Sequence, residues 1–174
     1  MVMQWILTLA ALFFAPQVSR TPPKDVPFTP GAPVVQPVPF SHKTHAGAAK
    51  LKCLACHAIE APGDYAGFPA ESKCMACHVA IKPDSPHIRQ VAAAAAKPSG
   101  EPIEWKRVYR LKEFVYFSHE IHVRKAKTEC AVCHGDVAAR EVLHQEKSIS
   151  MYACMRCHEE RRAPNDCARC HDTH

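Results

Sequence analysis

The chain has 174 residues, the size of one domain, but only 7% are aromatic and ten of those counted as hydrophobic are cysteines. That composition excludes a large apolar core of the chain's own. The formal charge of +5 and pI near 8.7 invite a nucleic-acid reading, yet the sequence holds no phosphate-cradling loop, nucleophile elbow or zincin motif.

Residues 1–15, MVMQWILTLAALFFA, are apolar except for Gln4 and Thr8. They read as the hydrophobic part of an export signal within residues 1–20, or as a retained N-terminal anchor. The run is short of the ~20 residues that span a bilayer comfortably. From Thr21 to Pro39 there are seven prolines, which fix φ and withhold backbone donors, so residues 21–37 should form an extended, polyproline-like linker acting as a spacer.

An internal repeat begins at Val38. VPFSHKTHAGAAKLKCLACH (38–57) and VYFSHEIHVRKAKTECAVCH (115–134) are identical at ten of twenty positions, without a gap, at an offset of 77. The repeat divides the chain into residues 38–97 and 98–174. Between the repeated segments, IRQVAAAAAK (88–97) should form a short helix and PSGEP (98–102) a turn or loop at the boundary.

Both repeated segments end in Cys-x-x-Cys-His, and the pattern occurs five times: Cys53, Cys56, His57; Cys74, Cys77, His78; Cys130, Cys133, His134; Cys154, Cys157, His158; Cys167, Cys170, His171. All ten cysteines are used. Roughly 0.04 such pentapeptides are expected by chance from this composition, so five point to covalent attachment of five c-type haems, each with the trailing histidine as an axial iron ligand. Disulfides would not require a histidine after every second cysteine. Cys154, Cys157, Cys167 and Cys170 alone resemble a four-thiolate zinc ribbon, but zinc would leave the other three motifs and five histidines unexplained.

Five macrocycles would supply the missing core. The expected fold is therefore mostly irregular, with short α-helices around the motifs and a core built from stacked haems, and the apoprotein should be largely unfolded. Two propionates per haem add roughly −10 and five ferric cores roughly +5, which brings the oxidised holoprotein near neutrality and removes the case for nucleic acid. Haem attachment of this kind takes place outside the cytoplasm, so the expected location is the periplasm or the extracytoplasmic face of the membrane.

Six-coordinate irons need second ligands. Seven histidines lie outside the motifs: His42, His45, His87, His119, His122, His144 and His174. Two of these pairs, His42 with His45 and His119 with His122, are spaced three apart on one helical face, so each pair can present imidazoles to two neighbouring irons. His87, after a proline in the linking region, reads as a surface residue, and His174 as free.

The HxxH-then-CxxCH arrangement, with CMRCHEERRAPNDCARCH (154–171), resembles the multihaem class III cytochromes. Over roughly residues 38–171 the chain is also similar to the pentahaem cytochrome subunit of alternative complex III, a quinol-oxidising bacterial membrane complex. The segments carrying this are FSHKTH, YAGFPAESKCMACH, EPIEWKRVYRLKEFVYFSHEIH, CAVCHGDV and SISMYACMRCH. The resemblance implies His42 opposite His57, His45 opposite His78, His119 opposite His134 and His122 opposite His158. For His171 it leaves two candidates: His144, where that subunit usually has tyrosine, and Met151, where it typically has methionine.

If every iron has two protein ligands, no small-molecule substrate can bind there. The function expected is electron transfer rather than catalysis, with redox proteins or membrane-complex subunits as partners. Pentahaem nitrite reductases use a lysine-ligated haem, and the sequence has no CxxCK.

Overall fold

A computed structural model describes residues 27–96 and 102–171. The signal or anchor segment, the start of the proline-rich linker, most of the PSGEP boundary and His174 lie outside the described residues.

The polypeptide is mostly irregular, with short helices. Helix α1 (Cys53–Cys56), α2 (Glu71–His78), α4 (Cys130–His134) and α5 (Met151–Glu160) each carry an attachment motif or its start, and a 3₁₀ turn at Cys167–Arg169 carries the fifth. Helix α3 (Pro86–Ala95) packs against α2. It starts with proline at the position where a missing N–H costs nothing, and its alanines sustain it. Among the described residues, β pairing is confined to two isolated bridges, Ile59 with Ala66 and Val115 with His171, and no helix is long and apolar enough to cross a membrane.

The two HxxH segments are not α-helical. Lys43–Ala48 and Glu120–Lys125 are π-helical turns, closed by Ala49 N–H to Thr44 O (2.9 Å) and Ala126 N–H to Ile121 O (2.8 Å). Each exits through a lysine with positive φ, Lys50 at 55° and Lys127 at 53°. A wider turn splays residues three apart beyond the ~60° of an α-helix. The single-face geometry expected from the sequence is thereby opened, which gives two bulky planar groups room side by side.

The repeat is also a repeat of contacts. Lys43 N–H donates to Arg140 O (2.9 Å), and its counterpart 77 residues on, Glu120 N–H, donates to Gly63 O (3.0 Å), where Gly63 is itself the counterpart of Arg140. The first π-helical turn packs on a 3₁₀ turn at Val137–Ala139. Each half of the chain thus seats its turn on the other half.

Residues 27–37 form no helix or strand, and they do not act as a free spacer. Val34 N–H donates to Leu143 O (2.8 Å) and Gly31 N–H to Gln145 O (3.1 Å), while the Gln36 side chain exchanges two hydrogen bonds with the Lys106 backbone (2.8 and 3.0 Å). Gly31 and Val34 each directly follow a proline, and their intact backbone donors find carbonyls on the C-terminal half.

Among the described residues the buried apolar side chains are Val38, Ile59 and Val91, each 4% exposed, whereas Phe114, Tyr65 and Val79 are about two-thirds exposed, at 65%, 66% and 69%. Three buried side chains cannot offset the backbone entropy of ordering such a chain. A variant with all ten cysteines changed to serine is expected to show a disordered far-ultraviolet circular dichroism spectrum and no cooperative thermal transition. A cooperative melt in that variant would contradict the dependence of the fold on what the cysteines attach.

Candidate haem-attachment and ligand sites

The histidines are oriented by the backbone. Nδ1 of His57 bonds to Gly67 O (2.8 Å), of His78 to Ile81 O (2.8 Å), of His158 to Pro164 O (2.6 Å) and, more loosely, of His171 to Phe114 O (3.4 Å). Among the histidines outside the motifs, His45 bonds to Ser41 O (2.8 Å), His122 to Ser118 O (2.8 Å) and His119 to Asp64 O (2.7 Å). With Nδ1–H donated to a carbonyl, Nε2 keeps its lone pair. This is the usual outer support of a metal-ligating imidazole.

The rings come together in pairs. Centroids are 6.3 Å apart for His42 and His57, 6.1 Å for His45 and His78, 6.4 Å for His119 and His134, and 5.9 Å for His122 and His158. A metal–imidazole bond of about 2.0–2.1 Å, added on each side to roughly 1.1 Å from nitrogen to ring centre, separates the centroids of two trans ligands by about 6.3 Å. The interplanar angles of 7°, 54°, 12° and 34° need no common value, since each ring can turn about its own bond to the metal. The four pairs fit an iron between them, and they are the same four that the resemblance implies.

Burial, then the His57 and His45 imidazoles beside it, pushes the pKa of His42 down to about 4. Burial, then His119 and His57, also holds His134 below the usual histidine range. Both are neutral at physiological pH and keep a nitrogen free to bind iron.

Two flanking aromatics set the rings. Phe40 stacks on His45 (4.3 Å, 17°) and meets His42 edge-on (4.9 Å, 79°). Phe117 does the same for His122 (4.4 Å, 20°) and His119 (4.9 Å, 87°). Sequence reasoning missed these side chains, although their signal was present: phenylalanine and serine both recur in the FSHxxH repeat, and Ser41 and Ser118 supply the carbonyls just described. Tyr109 was also missed. Its ring packs edge-on against His134 (4.5 Å), and its hydroxyl donates to His134 O (3.2 Å) while accepting from Glu146 N–H (2.8 Å).

No two of the ten cysteines are joined in a disulfide, and among the described residues no group of three or more His, Cys, Asp or Glu is arranged to hold a bare metal ion. Burial lifts the Cys74, Cys130, Cys133 and Cys154 thiols, and a thiol from another motif lifts each further.

The fifth site differs. His171 has no imidazole opposite it among the ring contacts of the described residues. A cavity of about 690 Å³ adjoins it, lined also by Arg110, Phe114, Ile149 and Met151. His144 does not line this cavity; it lies half-buried close to the Glu146 carboxylate. His87 is exposed on α3.

Residues 115–172 match the family described as cytochrome c7 and related cytochrome c, and residues 16–101 match the class III cytochrome C family. The chain is a multihaem c-type cytochrome, an electron-transfer protein with covalently bound haem. It is similar to a menaquinone reductase multihaem cytochrome c subunit of Nitratidesulfovibrio vulgaris (strain Hildenborough), at 27% identity over 161 residues that cover 78% of this chain and 76% of the relative.

The loop holding His119 gives a direct test of this support. Gly63 has φ +97°, and a Cβ there would run into the Glu120 side chain. Gly63→Ala is expected to cost about 1–3 kcal/mol through strain and displacement, lowering the thermal midpoint of the holoprotein. It should also shift the low-spin ferric signal in electron paramagnetic resonance, because Asp64 O moves away from His119. An unchanged midpoint and spectrum would contradict the seating of His119 by this loop.

Proposed function

We propose that this protein is a pentahaem cytochrome in which every iron carries two side-chain ligands, so that one-electron transfer is its only iron chemistry. The four imidazole pairs at 5.9–6.4 Å carry the reading. His57, His78, His134, His158 and His171 are the ligands on the attachment side. His42, His45, His119 and His122 close the first four sites in that order. Met151 rather than His144 closes the fifth, because it shares the cavity beside His171. Each haem supplies exchange between ferric and ferrous iron. The chain's residues exclude small molecules from the axial positions, keep the imidazoles neutral and tune the potentials through hydrogen bonds and ligand type.

The partners are redox proteins. The similarity to a menaquinone reductase cytochrome subunit and the resemblance over residues 38–171 support membership of a quinone-linked membrane complex on the extracytoplasmic side, with residues 1–20 serving export or anchoring. In this arrangement residues 38–97 form a dihaem half and 98–174 a trihaem half.

Intact-protein mass spectrometry should show five covalently attached haems. The ferric spectrum should lack a substantial high-spin component, and the reduced protein should not bind carbon monoxide; a high-spin ferric fraction that binds carbon monoxide on reduction would support an oxidoreductase with an open iron instead. After cell breakage the cytochrome is expected to co-purify with membrane subunits, and recovery as a freely soluble monomer would favour a mobile carrier.

Thioether ligation raises a haem's potential relative to two imidazoles. Met151→His is therefore expected to abolish the near-infrared sulfur-to-iron charge-transfer band and to lower the potential of one haem only. His144→Ala should leave both unchanged. The opposite pattern would assign the fifth site to His144.

A further inference from the structure

We infer that an internal pseudo-twofold axis passes between the first and third attachment motifs and sets the five sites in one line, in the order second, first, third, fourth, fifth. The inference rests on the five-haem reading above and adds the path, which neither the motif order nor the family resemblance gives.

A twofold contact is recognised by reciprocity: if residue i touches j′, then i′ touches j. The pair Lys43 N–H to Arg140 O and Glu120 N–H to Gly63 O satisfies this at an offset of 77. The surrounding contacts follow the same sense. The turn bearing His45 leans on Val137–Ala139, just past the third motif. The turn bearing His122 leans on the loop past the first motif, where Arg124 donates to Ile59 O (2.8 Å) and His119 to Asp64 O (2.7 Å). Each half therefore presents its first-type motif to the other half. Groups on such an axis face their own counterparts, and two do. Cys53 lies beside Cys130, and His57 lies near His134, both pairs being 77 apart.

Away from the axis the halves run outward in the same way. His42 and His45 share one π-helical turn, so the sites of the first and second motifs are neighbours; His119 and His122 join the third and fourth. Cys56 lies near Cys74, and the equivalent pair is Cys133 with Cys154. The offset there grows to 80 because three more residues separate the third and fourth motifs than the first and second. Even the exits correspond: Lys82 and Arg162, each four residues past its motif histidine, both have φ 53°. The fifth site has no counterpart. Cys154 of the fourth motif also lies near Cys170 of the fifth, which sets the fifth site beside the fourth, with Tyr116 N–H donating to Cys170 O (2.8 Å) to fix the fifth motif against the segment that leads into the second turn.

The order makes the second and fifth sites the ends of the line. In that line the first and third sites would adjoin across the axis, and bound haems there would supply the exchange between the two halves. Iron-edge anomalous diffraction from crystals of the holoprotein tests this. The expected result is five iron peaks with nearest-neighbour separations in the stated order and a local twofold exchanging the first with the third and the second with the fourth. Five doubly ligated irons in any other order overturn the line while leaving the ligation intact. An open axial position with the order preserved overturns the ligation and leaves the line standing.

Relaxation measurements give a second readout in solution. His45→Ala, which makes the second haem high-spin, should accelerate relaxation strongly at one neighbouring haem, whereas His42→Ala should do so at two. Equal counts for the two variants would also sink the order.

Discussion

Much of this structure depends on how the histidine rings are held. In His45, His57, His78, His119, His122 and His158 Nδ1 is committed to a backbone carbonyl, and each of these rings lies about 6 Å from a second imidazole. In an ordinary domain, side-chain orientation is inherited from close packing of apolar residues. The three buried apolar side chains among the described residues cannot provide that here, so hydrogen bonds within and between short segments orient the rings instead. The short α-helices are consistent with this arrangement. None is long enough to be stable alone, and all but α3 serve mainly to set a Cys-x-x-Cys-His unit in a fixed relation to its surroundings.

The duplicated unit is economical because it solves the orientation problem once and uses the solution twice. Phenylalanine, serine and two histidines in FSHxxH form a self-contained device. The serine hydroxyl accepts the N–H of the residue three further on, its carbonyl takes the second histidine, and the phenylalanine wedges between both rings. In the second unit the first histidine, His119, is held by Asp64 O of the opposite half, and both turns rest on the opposite half through Lys43 N–H to Arg140 O and Glu120 N–H to Gly63 O. This is why the halves cannot be independent, and why glycine stands at two of their closest approaches. A side chain at Gly47 would press on the Ala138 carbonyl, and one at Gly63 on Glu120.

The short-helical, irregular fold was legible in the sequence because it follows from the scarcity of large apolar residues and the recurrence of CxxCH, whereas the HxxH step showed only that two imidazoles stand close together, and which motif histidine each would face came from the family resemblance. What could not be read depends on contacts between distant segments. The proline-rich stretch read as a spacer because nothing in its composition reveals that Leu143 and Gln145 offer carbonyls to Val34 and Gly31. The turn read as α-helical because the pattern of a π-helical turn is indistinguishable from an α-helical one over six residues. Tyr109 carried no motif; its importance comes from receiving Glu146 N–H while touching His134. The choice between His144 and Met151 was left open in the sequence, since the resemblance puts methionine at 151 and tyrosine in the place of His144; Met151 lines the cavity beside His171 and His144 does not.

The two halves are equivalent in design but not in detail, and one difference falls on the first histidine of each FSHxxH unit. Nδ1 of His119 is tied to Asp64 O at 2.7 Å, whereas Nδ1 of His42, its counterpart, is buried without a hydrogen-bond partner. An unpartnered buried donor costs about 1–3 kcal/mol, so the first half carries a penalty that the second avoids. The same difference changes the chemistry available at the ring. A donated Nδ1–H makes Nε2 a stronger electron donor to iron and favours the oxidised metal, while an undonated one leaves it a weaker donor. A duplicated scaffold would otherwise give neighbouring sites nearly matching environments; one missing hydrogen bond at an equivalent position is enough to separate them without altering the ligand set.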